Sequence, residues 1–293
     1  MKYPLFLSRE EIYNGHYSIK KRDATCEFTR DLHYHDFYEI QFYLSDTSSE
    51  GDRTNTALPL GEITVSEETL PLVHGSLVLI NMFEPHQIQI TCKYPYIRYC
   101  ISFDSSLLLF ACSDTSNLFN IFSSCARSGH VRRLTSGQII DLISICRRYE
   151  TLSMANGRDI MEKSIILEIF AYIYSIFYDG REISPFDTRN MEIITNLISY
   201  IDEHISGDLS LEHLAESVSF SPFYLSRMFR RYTGATLNQY VIAKRIDKAK
   251  LLLAGSVSAA DAGRDTGFHS YAHFYRTFKK ITGMSPTEYQ KRE

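Results

Sequence analysis

Two histidines and a glutamate, His33, His35 and Glu39, follow an HxHxxxE spacing, and a third histidine, His86, lies in the segment NMFEPHQI. Side chains on a β-strand alternate with period two, so His33 and His35 share a face. Glu39 can join them, and a fourth group can arrive from a neighbouring strand. Two or three imidazoles with one carboxylate form a ligand set for Zn, Mn or Fe. The same side chains equally suit hydrogen-bonded groups that line a cavity or fix a fold, and the spacing leaves both readings open. Other chemistry lacks support: there is no catalytic carboxylate pair, no Ser-His-Asp set, no Walker loop and no GxGxxG. The six cysteines (Cys26, Cys92, Cys100, Cys112, Cys125, Cys146) show neither a CxxC pair nor zinc-like spacing, and read as reduced, mostly buried thiols.

A second set of residues points to contact with nucleic acid. Phe223–Tyr240 (FYLSRMFRRYTGATLNQY) and Ala272–Tyr289 (AHFYRTFKKITGMSPTEY) align without a gap at an offset of 49 residues. Arg227/Arg276, Phe229/Phe278, Thr233/Thr282, Gly234/Gly283 and Tyr240/Tyr289 are identical. Basic pairs follow at Arg230/Lys279 and Arg231/Lys280, and a hydroxyl pair at Thr236/Ser285. Such self-similarity marks a duplicated structural unit.

The elements that must position these residues can be read locally. In the first copy Leu225, Phe229 and Tyr232 fall on one helical face and Ser226, Arg227 and Arg230 on the other. Ser221 is placed to cap that helix, Pro222 occupies its first turn, and Gly234 can take the left-handed conformation that ends it. Thr236 then opens a second helix, with Gln239 completing a capping box. The second copy repeats the pattern: Phe274, Phe278 and Ile281 inward, Gly283 as the stop, Ser285-Pro286-Thr287-Glu288 as a capping box. Upstream, Leu211, Leu214, Ala215 and Val218 give a short amphipathic helix followed by a turn at 219–221. Short helix, tight turn and second helix with a basic outer face is the helix-turn-helix layout, whose second helix enters the major groove. Between the copies Thr236–Leu253 carries Ile242, Ile246, Ala249 and Leu253 along one face. A rod of that length spans ~27 Å, suited to holding two reader helices about one DNA turn, ~34 Å, apart.

The rest of the chain divides by periodicity. Residues 1–104 are β-rich, with runs at Tyr17–Ile19, Tyr38–Leu44, Ile63–Val65, Leu77–Asn81, Gln87–Thr91 and Tyr96–Phe103; Asp46–Thr56 reads as a solvated hairpin tip. Residues 106–179 turn helical, with one stripe at Ile139, Leu142, Ile143 and Cys146 and a longer one from Ile165 to Ile176. Asp179–Gly180 ends that helix and Ile183–Arg189, with Pro185, reads as linker. Apolar residues make up 44% and charged residues 23%, as in a soluble globular protein, and no run is long enough to span a bilayer. Net charge is −4, which argues against bulk electrostatic attraction to DNA. From Met191 onward, however, 13 basic residues face 11 acidic ones, against 18 and 24 before it, so phosphate contacts must come from a local basic stripe.

The segment from about Met191 to Arg292 resembles the DNA-binding domain of the AraC/XylS family of transcription regulators. LAESVSFSPFYLSRMFRRYTG, YVIAKRIDKAKLLL and GFHSYAHFYRTFKKITGMSPTEY carry the likeness. The resemblance implies that Phe223, Ser226 and Arg227 face one groove and Tyr271, Ala272, Tyr275 and Arg276 the next, with Arg230, Arg231, Lys279 and Lys280 on phosphates. The second unit departs from the family pattern: Ala262-Gly263 replaces an Ile-Ala pair, Ala259 an Ile, and Gln290 a closing Arg. Gly263 within a helix costs up to ~1 kcal/mol against Ala, so a weaker second unit is expected. The N-terminal residues resemble the cupin-type effector barrel of the same family. That likeness favours structural or ligand-lining roles for the histidines over metal.

The fold expected is therefore α+β in two domains: a cupin-like β-barrel (1–104) with appended helices (105–180) suited to dimerisation, a linker (181–190), and an all-α domain (191–293) with two helix-turn-helix units joined by a long helix. The function expected is a ligand-responsive, cytoplasmic activator that is no enzyme and needs no cofactor. Its partners would be double-stranded DNA, RNA polymerase, a second copy of itself and a small effector, with no membrane. The barrel mouth is the default effector site, with His35, Tyr38, Glu39, Tyr43, His86 and Arg98 as candidate lining. Weak metal candidates are His33, His35, Glu39 and His86. Alternatives are a metal-dependent cupin enzyme fused to a DNA-binding module, and an effector-independent regulator controlled by oligomerisation.

Overall fold

Alternation along the strands decides how the N-terminal domain is built. The computed structural model describes residues 5–7, 17–24, 27–45, 58–113, 115–154, 156–178, 185–233 and 235–291. Its strands are β1 (Leu5–Leu7), β2 (Tyr17–Ala24), β3 (Phe28–His35), β4 (Tyr38–Ser45), β5 (Pro59–Val65), β6 (Glu68–Val73), β7 (Ser76–Ile80), β8 (His86–Ile90) and β9 (Tyr96–Phe103). Helices α1 (Ser105–Phe110) and α2 (Phe119–Ser128) follow, then a tenth strand, β10 (Val131–Arg133), and helices α3 (Ser136–Glu150) and α4 (Arg158–Phe177). One sheet has the order β1-β3-β8-β5-β6 and the other β10-β7-β4-β9-β2. Pairing is antiparallel apart from β1 with β3.

The central strands of the second sheet, β7, β4 and β9, are largely buried on both faces. Tyr38, Ile40, Phe42 and Leu44 of β4, Leu77 and Leu79 of β7, and Tyr99, Ile101 and Phe103 of β9 pack outward against α1–α4 in one apolar core. The intervening residues point between the two sheets, where Tyr43, Val78, Ile80 and Tyr96 meet Leu60, Ile63, Val65, Leu72, Ile88 and Ile90 of the first sheet. Two layers closed over this second core make the cupin-like barrel.

The chain departs from the expected pattern in three places. Val131–Arg133, inside the stretch expected to be helical, pairs antiparallel with β7 and extends the barrel sheet; Gly129, at φ +85°, breaks α2 before it. Strands β1, β3 and β6 lie outside the runs singled out above, since none has the sustained apolar alternation that marks a half-buried strand. Pro185 begins a helix instead of a linker, as a proline in the first turn forgoes no hydrogen bond. Cys26, Asp46–Thr56, Asp179–Gly180, the first two residues of Ile183–Arg189 and Gly234 lie outside the described residues.

The C-terminal domain is helical: α5 (Pro185–Glu203), α6 (Leu211–Ser217), α7 (Pro222–Thr233), α8 (Leu237–Ala254), α9 (Ala259–Asp265), α10 (Tyr271–Thr282) and α11 (Pro286–Gln290). The caps fall where side-chain chemistry requires them. Ser221 accepts the Tyr224 N–H at 3.2 Å, and Thr236–Gln239 and Ser285–Glu288 form complete capping boxes. The first unit shares its core with the barrel's outer helices, while the second packs on the far half of α8 around Phe274 and Phe278. Barrel and first unit also meet through polar contacts. The Tyr38 hydroxyl donates to the Tyr232 carbonyl at 2.6 Å, and Lys244 of α8 lies 3.3 Å from both Asp36 and Asp202.

Candidate DNA-reading surface and barrel cavity

Among the described residues, most of the repeated identities have a visible structural job. Phe229 and Phe278 are fully buried, and each meets the edge of the repeated tyrosine, Tyr240 at 5.5 Å and Tyr289 at 5.6 Å. Thr233 and Thr282 each donate to the carbonyl four residues back at 2.8 Å. Each hydroxyl also accepts an N–H two residues on, at 3.3 Å, so one side chain closes the helix and sets the next turn. Arg227 and Arg276 are exposed and make no ion pair among the described residues. Gly283 sits at φ +78° as the C-terminal cap of α10.

With Leu225, Met228, Phe229 and Tyr232 turned inward, α7 leaves Phe223, Arg227, Arg230 and Arg231 in solvent and Ser226 half-buried. Phe223 is 77% exposed. On α10 Tyr271, Ala272, Arg276, Lys279 and Lys280 are exposed and Tyr275 is half-buried. The two units are offset by 48 residues between α6 and α9 but by 49 between α7 and α10. The second turn therefore holds one more residue than the first. Ser219 takes a positive φ of 57° in the first turn and Gly267 one of 83° in the second.

The expected weakness of the second unit is not what the packing shows. A Cβ on Gly263 would stand 2.7 Å from Cδ1 and 2.9 Å from Cγ of Phe274, so the ring of the reader helix fills the place a side chain would take. Gln290 donates to the carbonyl of Val257 at 2.9 Å and reaches that of Leu253 at 3.5 Å, tying α11 to the end of α8. Arg245, not singled out from sequence, donates to the carbonyls of Ile205 at 3.1 Å and Gly207 at 2.9 Å. Its guanidinium also covers Gly267, where a Cβ would lie 2.9 Å from Cζ. Lone arginines on long helices are common, so nothing in its spacing marked it.

Inside the barrel β3, β4 and β8 bring the spaced histidines together. Ligand atoms of His35, Glu39 and His86, all buried, lie within 4.8 Å of one another. His35 Nε2 is 3.0 Å and His86 Nε2 3.5 Å from Glu39 Oε2, and the His33 ring lies 4.1 Å from that of His86. The opposite ring nitrogen of each histidine faces a backbone carbonyl: Asp31 at 2.8 Å, Phe37 at 2.8 Å and Glu84 at 2.9 Å. A neutral imidazole carries one proton. A neutral His35 therefore donates either to the Phe37 carbonyl or to Glu39. The Nε2 atoms of His33 and His86 have no hydrogen-bond partner. Burial pushes His33 down to about 3, helped by His86 and Arg30, and burial outweighs Glu39 in lowering His35. For Glu39, burial raises the carboxyl, but the His35 and His86 imidazoles beside it hold it well below the usual range. Orientation of imidazoles by backbone carbonyls is the arrangement that supports metal ligands, and these residues fit a divalent transition ion.

A cavity of about 720 Å³ opens beside this cluster, lined by His35, Glu39 and Arg98 among the effector candidates. His86 lies behind Glu39, fully buried, and Tyr43 is enclosed between the sheets with its hydroxyl on Gln41. Tyr38 does not reach the cavity: one residue out of phase with Glu39, it faces the helices and stacks on Phe103 at 5.7 Å. The sequence reading missed the basic lining, Lys20, Arg22 and Arg30. The alternation of Lys20 and Arg22 on β2 was the available signal.

A helix-turn-helix family model matches residues 214–292. The arabinose operon regulatory protein of Salmonella typhimurium is 31% identical over 167 residues, 56% of this chain and 54% of that protein. The regulatory protein SoxS of the same organism is 34% identical over 104 residues, 35% of this chain and 97% of SoxS. The chain spans about a third of the length of several other curated relatives it matches. Among solved structures, fatty-acid-bound ToxT from Vibrio cholerae strain SCE256 superposes with a TM-score of 0.54 at 13% identity, covering 94% of this chain and 95% of that one; the likeness is one of fold.

Proposed function

Since the chain belongs to the AraC/XylS family of transcription regulators, we propose that it is a sequence-specific DNA-binding regulator, an activator whose N-terminal barrel takes an effector. The observation that carries this reading is the pair of reader helices, α7 and α10. Each buries its repeated phenylalanine and leaves its repeated arginine in solvent. Phe223, Ser226 and Arg227 would meet one major groove and Tyr271, Ala272, Tyr275 and Arg276 the next. Arg230, Arg231, Lys279 and Lys280 would hold phosphates, fixing register without reading bases.

In this reading residues 1–104 sense, 105–180 dimerise and 191–293 bind DNA. Ile140 and Ile160, each 66% exposed on α3 and α4, support a second copy as partner. RNA polymerase is the further partner proposed and the cytoplasm the location; no helix among the described residues is long and apolar enough to cross a membrane. An effector would act through the contacts joining barrel to first unit, Asp36–Lys244 and Tyr38–Tyr232, by shifting the population able to engage both grooves. No catalytic role is proposed.

The assignment of phosphate contacts is tested by salt. Lys280→Ala is expected to weaken binding to all DNA sequences alike and to flatten the slope of log K against log salt by about 1. Fluorescence anisotropy at several salt concentrations measures it, and an unchanged slope rejects the contact.

A second reading, a metal-bearing barrel, is favoured by the Nε2 atoms of His33 and His86, which have no hydrogen-bond partner, the latter 3.5 Å from Glu39. His35, Glu39 and His86, with His33 beside them, would hold a divalent ion, which when bound supplies Lewis-acid polarisation of a ligand oxygen. Titration with Co²⁺ should then give about one equivalent bound, with visible ligand-field absorption. His86→Ala should abolish that signal. A chain that takes up no Co²⁺ leaves these histidines as hydrogen-bonded lining.

A further inference from the structure

Charge inside the barrel is one-sided. Strands β2, β3 and β9 turn Lys20, Arg22, Arg30 and Arg98 towards the cavity, where Asp31 and Glu39 are the acidic residues among the described lining. Glu39 is already engaged, taking His35 at 3.0 Å on one oxygen and the Cys100 thiol on the other.

Arg98 decides what the cavity suits. Only 6% of its surface is exposed, its Nε has no hydrogen-bond partner, and among the described residues no carboxylate lies within ion-pair distance of it. Its guanidinium packs 5.1 Å from the Phe28 ring, and Arg22 covers the same ring at 5.1 Å. The Tyr43 hydroxyl and Glu39 favour its charged form, but among the described residues no carboxylate pairs with its fork directly. A buried guanidinium so placed is costly, and its planar fork matches a carboxylate or phosphate. The space beside it, about 720 Å³, accommodates a small metabolite. Phe28 and Phe37 offer apolar surface for its carbon skeleton.

We propose that the effector is a small organic anion whose acid group binds Arg98, with Lys20, Arg22 and Arg30 drawing negative charge into the barrel. This rests on the barrel being the effector domain of the regulator proposed above. A neutral sugar of equal size lacks the group that Arg98 requires.

The test follows thermal unfolding of the full chain with glucuronate, citrate, inorganic phosphate and glucose at matched ionic strength. At least one anion should raise Tm saturably, glucose should not, and Arg98→Gln should weaken half-saturation about tenfold or more, as loss of a charge-assisted pair does. Carboxylate and phosphate arms separate the two acid classes. General salting-out stabilisation does not saturate and is the same in the variant. If Arg98→Gln does not fold, Arg22→Gln, at a solvent-exposed position of the cavity lining, must weaken half-saturation instead. A saturable response absent from every anion, matched by glucose, or unaltered in the variants overturns the proposal. DNA retention by the wild-type chain without added anion is scored separately. Its loss rejects the regulator reading, whereas DNA retained with no anion response rejects only the anionic effector.

Discussion

Phe274→Ala should destabilise the second helix-turn-helix unit by about 3–5 kcal/mol, and Gly263→Ala, nominally a helix-stabilising change, should also destabilise it, by about 1–3 kcal/mol. Phe274 has no exposed surface and centres the core of that unit, against Phe268 at 5.2 Å and Phe278 at 5.5 Å. Truncation leaves a cavity that neighbouring aromatic rings cannot close without leaving their own contacts. At Gly263 the ring stands where a Cβ would be, so the propensity gain of up to ~1 kcal/mol is outweighed by overpacking. Denaturant unfolding followed by near-ultraviolet circular dichroism measures both. A stabilised Gly263→Ala chain would show that the ring has room to move, and that the glycine is a tolerated weakness.

Arg227→Ala and Arg276→Ala should each reduce affinity for a specific site by about 1–3 kcal/mol and relax preference at one position. Because the two arginines sit on separate units joined by α8, their losses should add. The double variant then binds its site by about 2–6 kcal/mol less and approaches non-specific affinity. Both side chains are exposed and outside the apolar cores, so the fold is expected to persist, which circular dichroism checks. An additive loss identifies two independent readers, whereas a double variant no weaker than one single variant means that one unit alone reads DNA.

Much of the helical domain was legible because its determinants are local. Caps such as Thr236 and Ser285, the inward phenylalanines and the left-handed Gly283 each act within a few residues, and the repeat states them twice. What eluded reading was contact between distant segments. Gly263 looks like a defect until Phe274 is laid on it, and Arg245 looks like surface until it meets the carbonyls of Ile205 and Gly207. In the barrel, HxHxxxE and His86 foretold a shared site, but period-two phase removed Tyr38 from it and added Lys20 and Arg22. That phase depends on the pairing of β2 with β9, which no single strand reveals. Val131–Arg133 was missed for a similar reason: three residues carry no periodicity, and only pairing with β7 makes them a strand.

Selection of DNA from a random library by the full wild-type chain and by each single arginine variant tests the duplicated reader directly. Wild type should enrich two short determinants centred about 10 base pairs apart, one helical turn. Arg227→Ala should erase information within one of them and Arg276→Ala within the other. Enrichment of a single determinant, or loss from the same determinant in both variants, would contradict two reader helices set side by side on one face of the duplex.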